Sequence, residues 1–174
     1  MKLVLCFSAT ITDMVTRADV PNEVLTITDQ LEAAGFEAYL VGGCVRDLEI
    51  GTTPKDWDVT TNAHPEQIQE LFPESFHNND FGTVGVKTEA EDERLHVVEV
   101  TPYRTEGEYS DARRPDTVTF GVSLDEDLKR RDFTVNALAF RPKDEQLVDL
   151  FDGIGDITKK RLKTVGNPDE RFGE

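Results

Sequence analysis

Residues 39–47 read YLVGGCVRD, and residues 55–58, about a dozen positions after the glycine pair, read KDWD. The first stretch runs from an apolar segment through two glycines into a short amphipathic segment, which predicts a strand, a tight turn and a helix. The second leads into a short predicted strand at 57–60. Side chains alternate along a strand, so Asp56 and Asp58 are expected to point to the same face.

The two aspartates predict a site for a hard divalent cation. Adjacent carboxylates repel each other unless a cation lies between them, and Mg²⁺ prefers oxygen ligands while keeping waters and binding substrate phosphates. Acidic residues with this spacing also occur on solvated strands. The pair alone therefore leaves both interpretations open.

Gly42, Gly43 and Arg46 predict a phosphate site in front of the aspartates. Glycines let backbone N–H groups approach an anion closely, and a helix N-terminus favours phosphate. Arg46 in the first helical turn adds a bidentate phosphate donor. The alternative is a tight turn with Arg46 on the surface. Taken with the aspartates, the set has the outline of a two-metal phosphoryl-transfer site.

Two further segments carry charged candidates. Glu99 stands within the apolar run VVEV at 97–100, on a strand expected to neighbour the aspartate strand, and the alternative is an edge-strand Glu facing water. Residues 129–132 read KRRD, with dense positive charge for an acidic chain. The alternative there is a set of helix C-terminal cations followed by Asp132 as the N-cap of the next helix.

The remaining segments mix helices and strands, which predicts an α+β fold with a small mixed β-sheet and packed helices. Val24, Ile27 and Leu31, for example, share one helical face. The sequence predicts helices at 21–34, 45–50, 65–72, 123–131 and 132–139, strands at 36–41, 57–60, 81–87, 95–101 and 146–151, a polar loop at 103–116 and a last helical turn within 152–160.

Composition and charge restrict the function classes. The 174 residues include 35 acidic and 19 basic ones, for a net charge of −16. This balance is unusual for a protein that holds RNA, because phosphate contacts need Lys and Arg. A local basic surface, an RNA-gripping part elsewhere and adaptation to high salt all stay open. The two cysteines form neither a disulfide framework nor a metal spacing, which favours a reducing cytoplasm.

These motifs, in this order, resemble the class II tRNA nucleotidyltransferase and bacterial poly(A) polymerase family, within the DNA-polymerase-β-like superfamily. The resemblance extends from about residue 20 to the end. It implies a nucleotidyltransferase head domain at 19–152, preceded by a leader at 1–18 and followed by the start of a truncated neck at 153–174. The matching segments are 39–47, 54–61, 99–104, 109–115 and 127–137, with further likeness at 149–153 and 164–166.

The resemblance also implies roles for individual residues and ligands. The metal, Mg²⁺, is assigned to Asp56 and Asp58, with Glu99 as the third catalytic carboxylate. The substrates are CTP and ATP, and the acceptor is the 3′ end of tRNA. The residues implied to bind the nucleotide are Gly42, Gly43, Arg46, Arg131, Asp132 and Asn136. Those implied in a mobile loop that switches between C and A addition are Arg104, Tyr109, Asp111, Arg113 and Arg114.

One departure from the family pattern limits what the resemblance implies. A Glu-Asp-x-x-Arg type motif that reads the incoming base is expected after Arg171 and Phe172, and the chain reaches only Glu174. The isolated chain is therefore expected to be weakly active or inactive. Poly(A) polymerase, a partial CC- or A-adding enzyme and a catalytically silent nucleotide-binding domain remain alternatives.

Overall fold

The computed structural model describes residues 15–78, 81–107 and 118–168. Its centre is a seven-stranded mixed sheet, and a two-stranded ribbon lies beside it. The strands are β1 (Ala38–Val41), β2 (Asp58–Thr61), β3 (Ser75–His77), β4 (Val84–Lys87), β5 (Val97–Pro102), β6 (Arg104–Glu106), β7 (Val118–Phe120), β8 (Leu138–Arg141) and β9 (Gln146–Asp149). The helices are α1 (Asn22–Ala33), α2 (Gly43–Ile50), α3 (Pro65–Leu71), α4 (Leu124–Lys129) and α5 (Gly153–Thr158).

The order of strands in the main sheet is β3-β4-β5-β2-β1-β8-β9. β2 and β5 run parallel with Asp58 opposite Glu99, whereas β1 is antiparallel to both β2 and β8. Because β1 and β2 are antiparallel, the last residue of β1 lies beside the first residue of β2, and the turn after Val41 lies next to Asp58. Glu99 of β5 lies beside Asp58 at the same end of these strands.

The central strand β1 is buried on both faces of the sheet. Along β1 the side chains alternate, so Leu40 belongs to the large core that α1 and α3 help to cover, and Tyr39 and Val41 belong to a second, smaller cluster. Leu128 of α4 completes that second cluster. All four β1 residues are buried, as expected for a central strand with both faces covered. This burial fixes the position of the turn that follows β1.

The α+β class and the mixed sheet are confirmed, whereas two local predictions are wrong. The segment 132–139 contains a single 3₁₀ turn, Thr134–Asn136, and then enters β8. Residues 138–140 are wholly buried between β1 and β9, and a short buried run cannot be told from a helix by periodicity alone. The predicted loop at 103–116 begins instead with β6, which pairs with β7.

Single residues near both ends of the described chain are buried. Val15 lies in the large core although it falls in the predicted leader, and its backbone N–H donates to Glu49 at 3.3 Å. Val165 is also buried, near the other end of the described chain. The boundaries at residues 18 and 152 stay predictions. Within the described residues, no helix is long and apolar enough to cross a membrane.

Candidate active site

The turn between β1 and α2 brings several predicted site residues together. Gly42 has φ +79° and ψ −132°, a conformation that side-chain-bearing residues rarely adopt. A Cβ there would lie 3.1 Å from Nη1 of Arg131, 3.9 Å from the carbonyl oxygen of Asn136 and 4.0 Å from Oδ2 of Asp58. The backbone therefore favours glycine here, and a Cβ would also push the end of the Arg131 side chain away by a few tenths of an ångström.

The three predicted carboxylates line one cavity of about 460 Å³. Asp58 starts β2, Asp56 lies exposed in the bend before it, and buried Trp57 anchors the segment between them. Glu99 accepts a hydrogen bond from Nδ2 of Asn78 at 2.6 Å, which restricts its carboxylate. The structure thus brings Asp56, Asp58 and Glu99 together from a bend and two neighbouring strands.

The charge of Asp58 is unfavourable in this setting. The pKa of its carboxyl is raised to about 6, chiefly by burial and also by the negative charges of Glu99 and Asp56, while Arg131 lowers it. Burial and like charges destabilise the ionised form of such a carboxyl, so a cation that binds beside it stabilises that form. Cys44, behind Asp58, is no rival ligand, because burial raises the pKa of its thiol to about 11.

These residues fit a divalent cation that keeps part of its own hydration. Across the described ranges, no group of three or more His, Cys, Asp or Glu side chains lies close enough to hold a metal ion. Mg²⁺ commonly binds through one or two carboxylates together with water and substrate phosphates. The repelling carboxylates Asp58 and Glu99, with Asp56 on the same cavity, are such a donor set.

Arg131 lies against the Gly42 turn as a largely buried cation, on the same side of the turn as Asp58. Burial lowers the pKa of its guanidinium, although the nearby Asp127 counteracts this. Its Nε is buried and has no hydrogen-bond partner within the described part of the chain. Buried polar groups are nearly always paired, so an orphaned Arg donor beside a glycine turn is suited to an anionic ligand.

Arg46 and Asn136 lie together beside the same turn. Nη1 of Arg46 donates to Oδ1 of Asn136 at 2.7 Å, and Asp47 accepts from Nε and Nη2 of Arg46 at 2.9 and 2.7 Å. A Cβ at Gly43 would stand 3.6 Å from Nη2 of Arg46. By contrast, Asp132 is exposed, and its backbone carbonyl accepts the N–H of Val165.

The predicted mobile loop is described only at its start. Nη1 of Arg104 in β6 donates to the carbonyl of Phe81 at 2.9 Å, and the guanidinium lies 5.8 Å from the centre of the Phe81 ring. This arrangement holds the first loop residue against the segment before β4. The other predicted loop residues lie outside the described residues: Tyr109, Asp111, Arg113 and Arg114.

Sequence reasoning missed two residues that support the site. Asp127 is fully buried and forms ion pairs with Arg130 and Arg131, three and four positions on. That helical spacing was visible in the sequence as a signal. Asn78, which holds Glu99, follows the unpredicted strand β3 and carried no such signal.

Comparison with known proteins identifies the family of the chain. The model of the family described as the poly A polymerase head domain matches residues 38–163. The chain belongs to this family. It is 46% identical over 157 residues to the CCA-adding enzyme of Lactobacillus delbrueckii subsp. bulgaricus, covering 90% of the chain and 38% of that relative. It is 49% identical over 153 residues to the CCA-adding enzyme of Latilactobacillus sakei subsp. sakei, covering 87% and 37%.

Solved structures place the head domain in the same fold. A crystal structure of the Bacillus stearothermophilus CCA-adding enzyme in complex with CTP matches 87% of the chain at 39% identity and a TM-score of 0.75. A tRNA nucleotidyltransferase complexed with a primer tRNA and an incoming ATP analog matches 80% at 27% identity and a TM-score of 0.61. The head domain spans 35% and 38% of those two chains.

Proposed function

We propose that this head domain binds CTP and ATP with Mg²⁺ and transfers their nucleotidyl groups to the 3′ end of tRNA. One observation carries the proposal. Asp58 is paired in register with Glu99 on parallel strands and borders the Gly42 turn, where the buried guanidinium of Arg131 has an unpaired donor. A repelling carboxylate pair thus lies next to an anion-binding wall, as transfer of a metal-bound phosphoryl group requires.

Each residue has a part in this chemistry. Asp56 and Asp58 hold the cation, Glu99 completes the acidic wall, and Arg131 binds the triphosphate beside the Gly42 backbone. When bound, Mg²⁺ favours ionisation of the attacking hydroxyl and stabilises the charge of the leaving group. The 3′-oxygen of the RNA forms a bond to the α-phosphorus, its proton passes to solvent, and the bond from that phosphorus to pyrophosphate breaks.

The nature of the acceptor is supported by the relatives, which are named CCA-adding enzymes. Complete CCA addition is therefore favoured over poly(A) synthesis and over partial CC or A addition. With a net charge of −16, the head domain offers few favourable phosphate contacts, so we propose that it supplies the reaction centre and contributes little to gripping tRNA. A cytoplasmic location follows from a tRNA substrate.

Titration of the purified chain with CTP, ATP, GTP and UTP tests the proposal directly. The assembled residues suit phosphate and metal, which all four nucleotides share, so we expect weak binding with little preference among bases. Binding should require Mg²⁺ and disappear in EDTA. Metal-independent binding, or no binding of any triphosphate, would contradict the proposal. An unchanged affinity in Asp58→Asn would likewise count against it.

A further inference from the structure

Asp127 is a buried carboxylate to which the proposed chemistry assigns no role. Its side chain has 0% relative exposure, and it lies on α4 beneath the arginine that faces the Gly42 turn. An acidic side chain is almost never fully buried unless it is paired. The partners of Asp127 therefore indicate why it is there.

Those partners come from three separate parts of the fold. Oδ1 accepts hydrogen bonds from Nε and Nη2 of Arg130 at 3.0 and 2.9 Å, and from the backbone N–H of Arg104 at 3.3 Å. Oδ2 lies 3.6 Å from Nη2 of Arg131 and 3.5 Å from Oγ1 of Thr60, whose hydroxyl has a closer acceptor in the Thr101 carbonyl at 3.1 Å. One carboxylate thus connects α4, the strand that carries Asp58, and the first residue of β6.

Stability alone is a poor explanation for this arrangement. Replacing a buried ion pair by apolar residues of similar volume is often neutral or stabilising, because the charges lose their hydration. By contrast, Asp127 contacts Nη2 of Arg131. Nη1 then lies next to Gly42, and Nε has no partner in the described structure. The contact orients the guanidinium toward the turn.

We propose that Asp127 is a positioning residue that holds Arg131 in its phosphate-binding orientation and couples that site to the start of the β6–β7 ribbon. The proposal rests on the proposed function, since it assumes that Arg131 binds the triphosphate. It adds that binding of a triphosphate to Arg131 affects the backbone of Arg104, because Asp127 contacts both residues. The substrate group concerned is the triphosphate, and the base is not involved.

The first experiment compares Asp127→Asn with Glu32→Gln. Glu32 is a matched control, because it is 8% exposed, accepts from Arg141 and Lys143 at 2.7–2.9 Å, and contacts the far end of β8. Both variants replace a carboxylate bonded to two cations by its amide, so both should lower the melting temperature. The dissociation constants of MgCTP and of CMP are then measured for each folded variant.

We expect Asp127→Asn to weaken the binding of MgCTP at least tenfold and the binding of CMP less than threefold. Glu32→Gln should change neither affinity. A purely structural role would lower the melting temperature of Asp127→Asn without altering the ratio of the two affinities, and that result would overturn the inference. If Arg131→Ala binds MgCTP as tightly as the unaltered chain, the proposed function of Arg131 fails first, which separates the two hypotheses.

A second measurement needs no variant and remains informative if Asp127→Asn does not fold. Hydrogen exchange of the Arg104 amide, which donates to Asp127, is followed in the unaltered chain with Mg²⁺ alone and with MgCTP. We expect MgCTP to slow this exchange at least threefold, while the amide of Glu37, which donates to Asn62, is unaffected. If the Arg104 amide exchanges at the same rate with saturating MgCTP as with Mg²⁺ alone, the coupling is contradicted.

Discussion

Two clusters around partly buried carboxylates show opposite charge balance. Glu32 receives hydrogen bonds from Arg141 and Lys143 at 2.7–2.9 Å, whereas Asp58 faces the like charges of Glu99 and Asp56, with Arg131 in opposition. Burial raises the pKa of both carboxyls. At Glu32 the two cations outweigh burial and lower the pKa overall, whereas at Asp58 the like charges add to it.

This difference separates a structural carboxylate from a ligand-binding one. The Glu32 cluster has its counter-charges within the protein, so it contributes to the folded state as it stands. The Asp58 cluster lacks sufficient positive charge and is improved by an external cation. Charge balance therefore distinguishes the two sites better than burial does, and mutations at the two sites should have opposite consequences.

The largest expected effect is the loss of chemistry in Asp58→Ala. Mg²⁺-dependent nucleotide binding should disappear, and any nucleotidyl transfer should fall by several orders of magnitude, because a metal-holding carboxylate is removed. Stability at pH 8 should be unchanged or higher, since the repulsion with Glu99 is relieved. Isothermal titration with MgCTP and urea unfolding measure the two effects.

Glu32→Ala is the counterpart of that variant. It leaves Arg141 and Lys143 without their shared acceptor, so the free energy of unfolding should fall by about 2 kcal/mol. The affinity for MgCTP, measured where the variant is fully folded, should be unaffected. The contrast between the two clusters breaks down if Asp58→Ala is the more destabilised variant.

Removing Arg131, the proposed phosphate-binding arginine, should have the next largest effect. Arg131→Ala should weaken CTP and ATP alike by about a hundredfold, because charge-assisted contacts to phosphate are lost while base contacts are untouched. Arg46→Ala should act in the same direction but less, since Asp47 and Asn136 already engage Arg46. An altered preference between CTP and ATP at unchanged triphosphate affinity would refute the assignment of Arg131.

Arg161→Ala is a suitable control for the arginine variants. Arg161 also pairs with a buried carboxylate, Asp156, but that pair involves α5 and the chain after it. We expect reduced stability and unchanged nucleotide affinity. A nucleotide effect as large as that of Arg131→Ala would mean that loss of any buried arginine pair disturbs the pocket.

The stability of the metal-free protein should depend on pH with a sign set by Asp58. Its pKa is about 6 in the folded state against an ordinary value of 3.8, so between these values the folded chain binds more protons than the unfolded one. Stability from this group therefore declines as pH rises from 4 to 6, by about 2–3 kcal/mol in total. Glu32, with a lowered pKa, contributes in the opposite direction at acid pH.

Unfolding of the unaltered chain and of Asp58→Asn in EDTA, at several values of pH, isolates that contribution. The difference between the two free energies should change across pH 4–6 and be constant above pH 7. Saturating Mg²⁺ should reduce the difference at neutral pH, because the cation offsets the repulsion. A difference that is independent of pH would mean that Asp58 is not destabilised in its ionised form.

Asn78→Ala should produce the smallest effect. The amide of Asn78 holds Oε1 of Glu99, so its removal lets the carboxylate move without deleting it. We expect Mg²⁺-dependent nucleotide affinity to fall about threefold, as for the loss of one hydrogen bond. Asn62→Ala, which removes an acceptor of the Glu37 N–H, is the matched control and should leave affinity unchanged.

Sequence information is sufficient where the site is built from local geometry. The Gly42 turn was predicted from adjacent residues, and Glu99 was singled out as a carboxylate within an apolar run. It is insufficient where distant segments meet. Thr60 and Asp127 are 67 positions apart, and no local pattern indicates their contact.

The same reason explains the error at β8. Residues 138–140 are apolar and buried, and their place between β1 and β9 is set by partners about a hundred positions before them and a few after. Local periodicity carries no record of those partners. The KRRD motif was recognised, and the spacing of Asp127 from its two arginines is a sequence signal, but the full burial of Asp127 is seen only in the three-dimensional structure.

The parallel pairing of β2 with β5 also affects when the pocket exists during folding. Asp58 and Glu99 become neighbours only after the 40 residues between them have closed into a crossover that contains α3, β3 and β4. Such long-range closure loses chain entropy before any contact compensates it, so it belongs to the slow part of folding. A partly folded chain therefore has no carboxylate pair to offer, and we expect Mg²⁺ with nucleotide to stabilise only the finished fold.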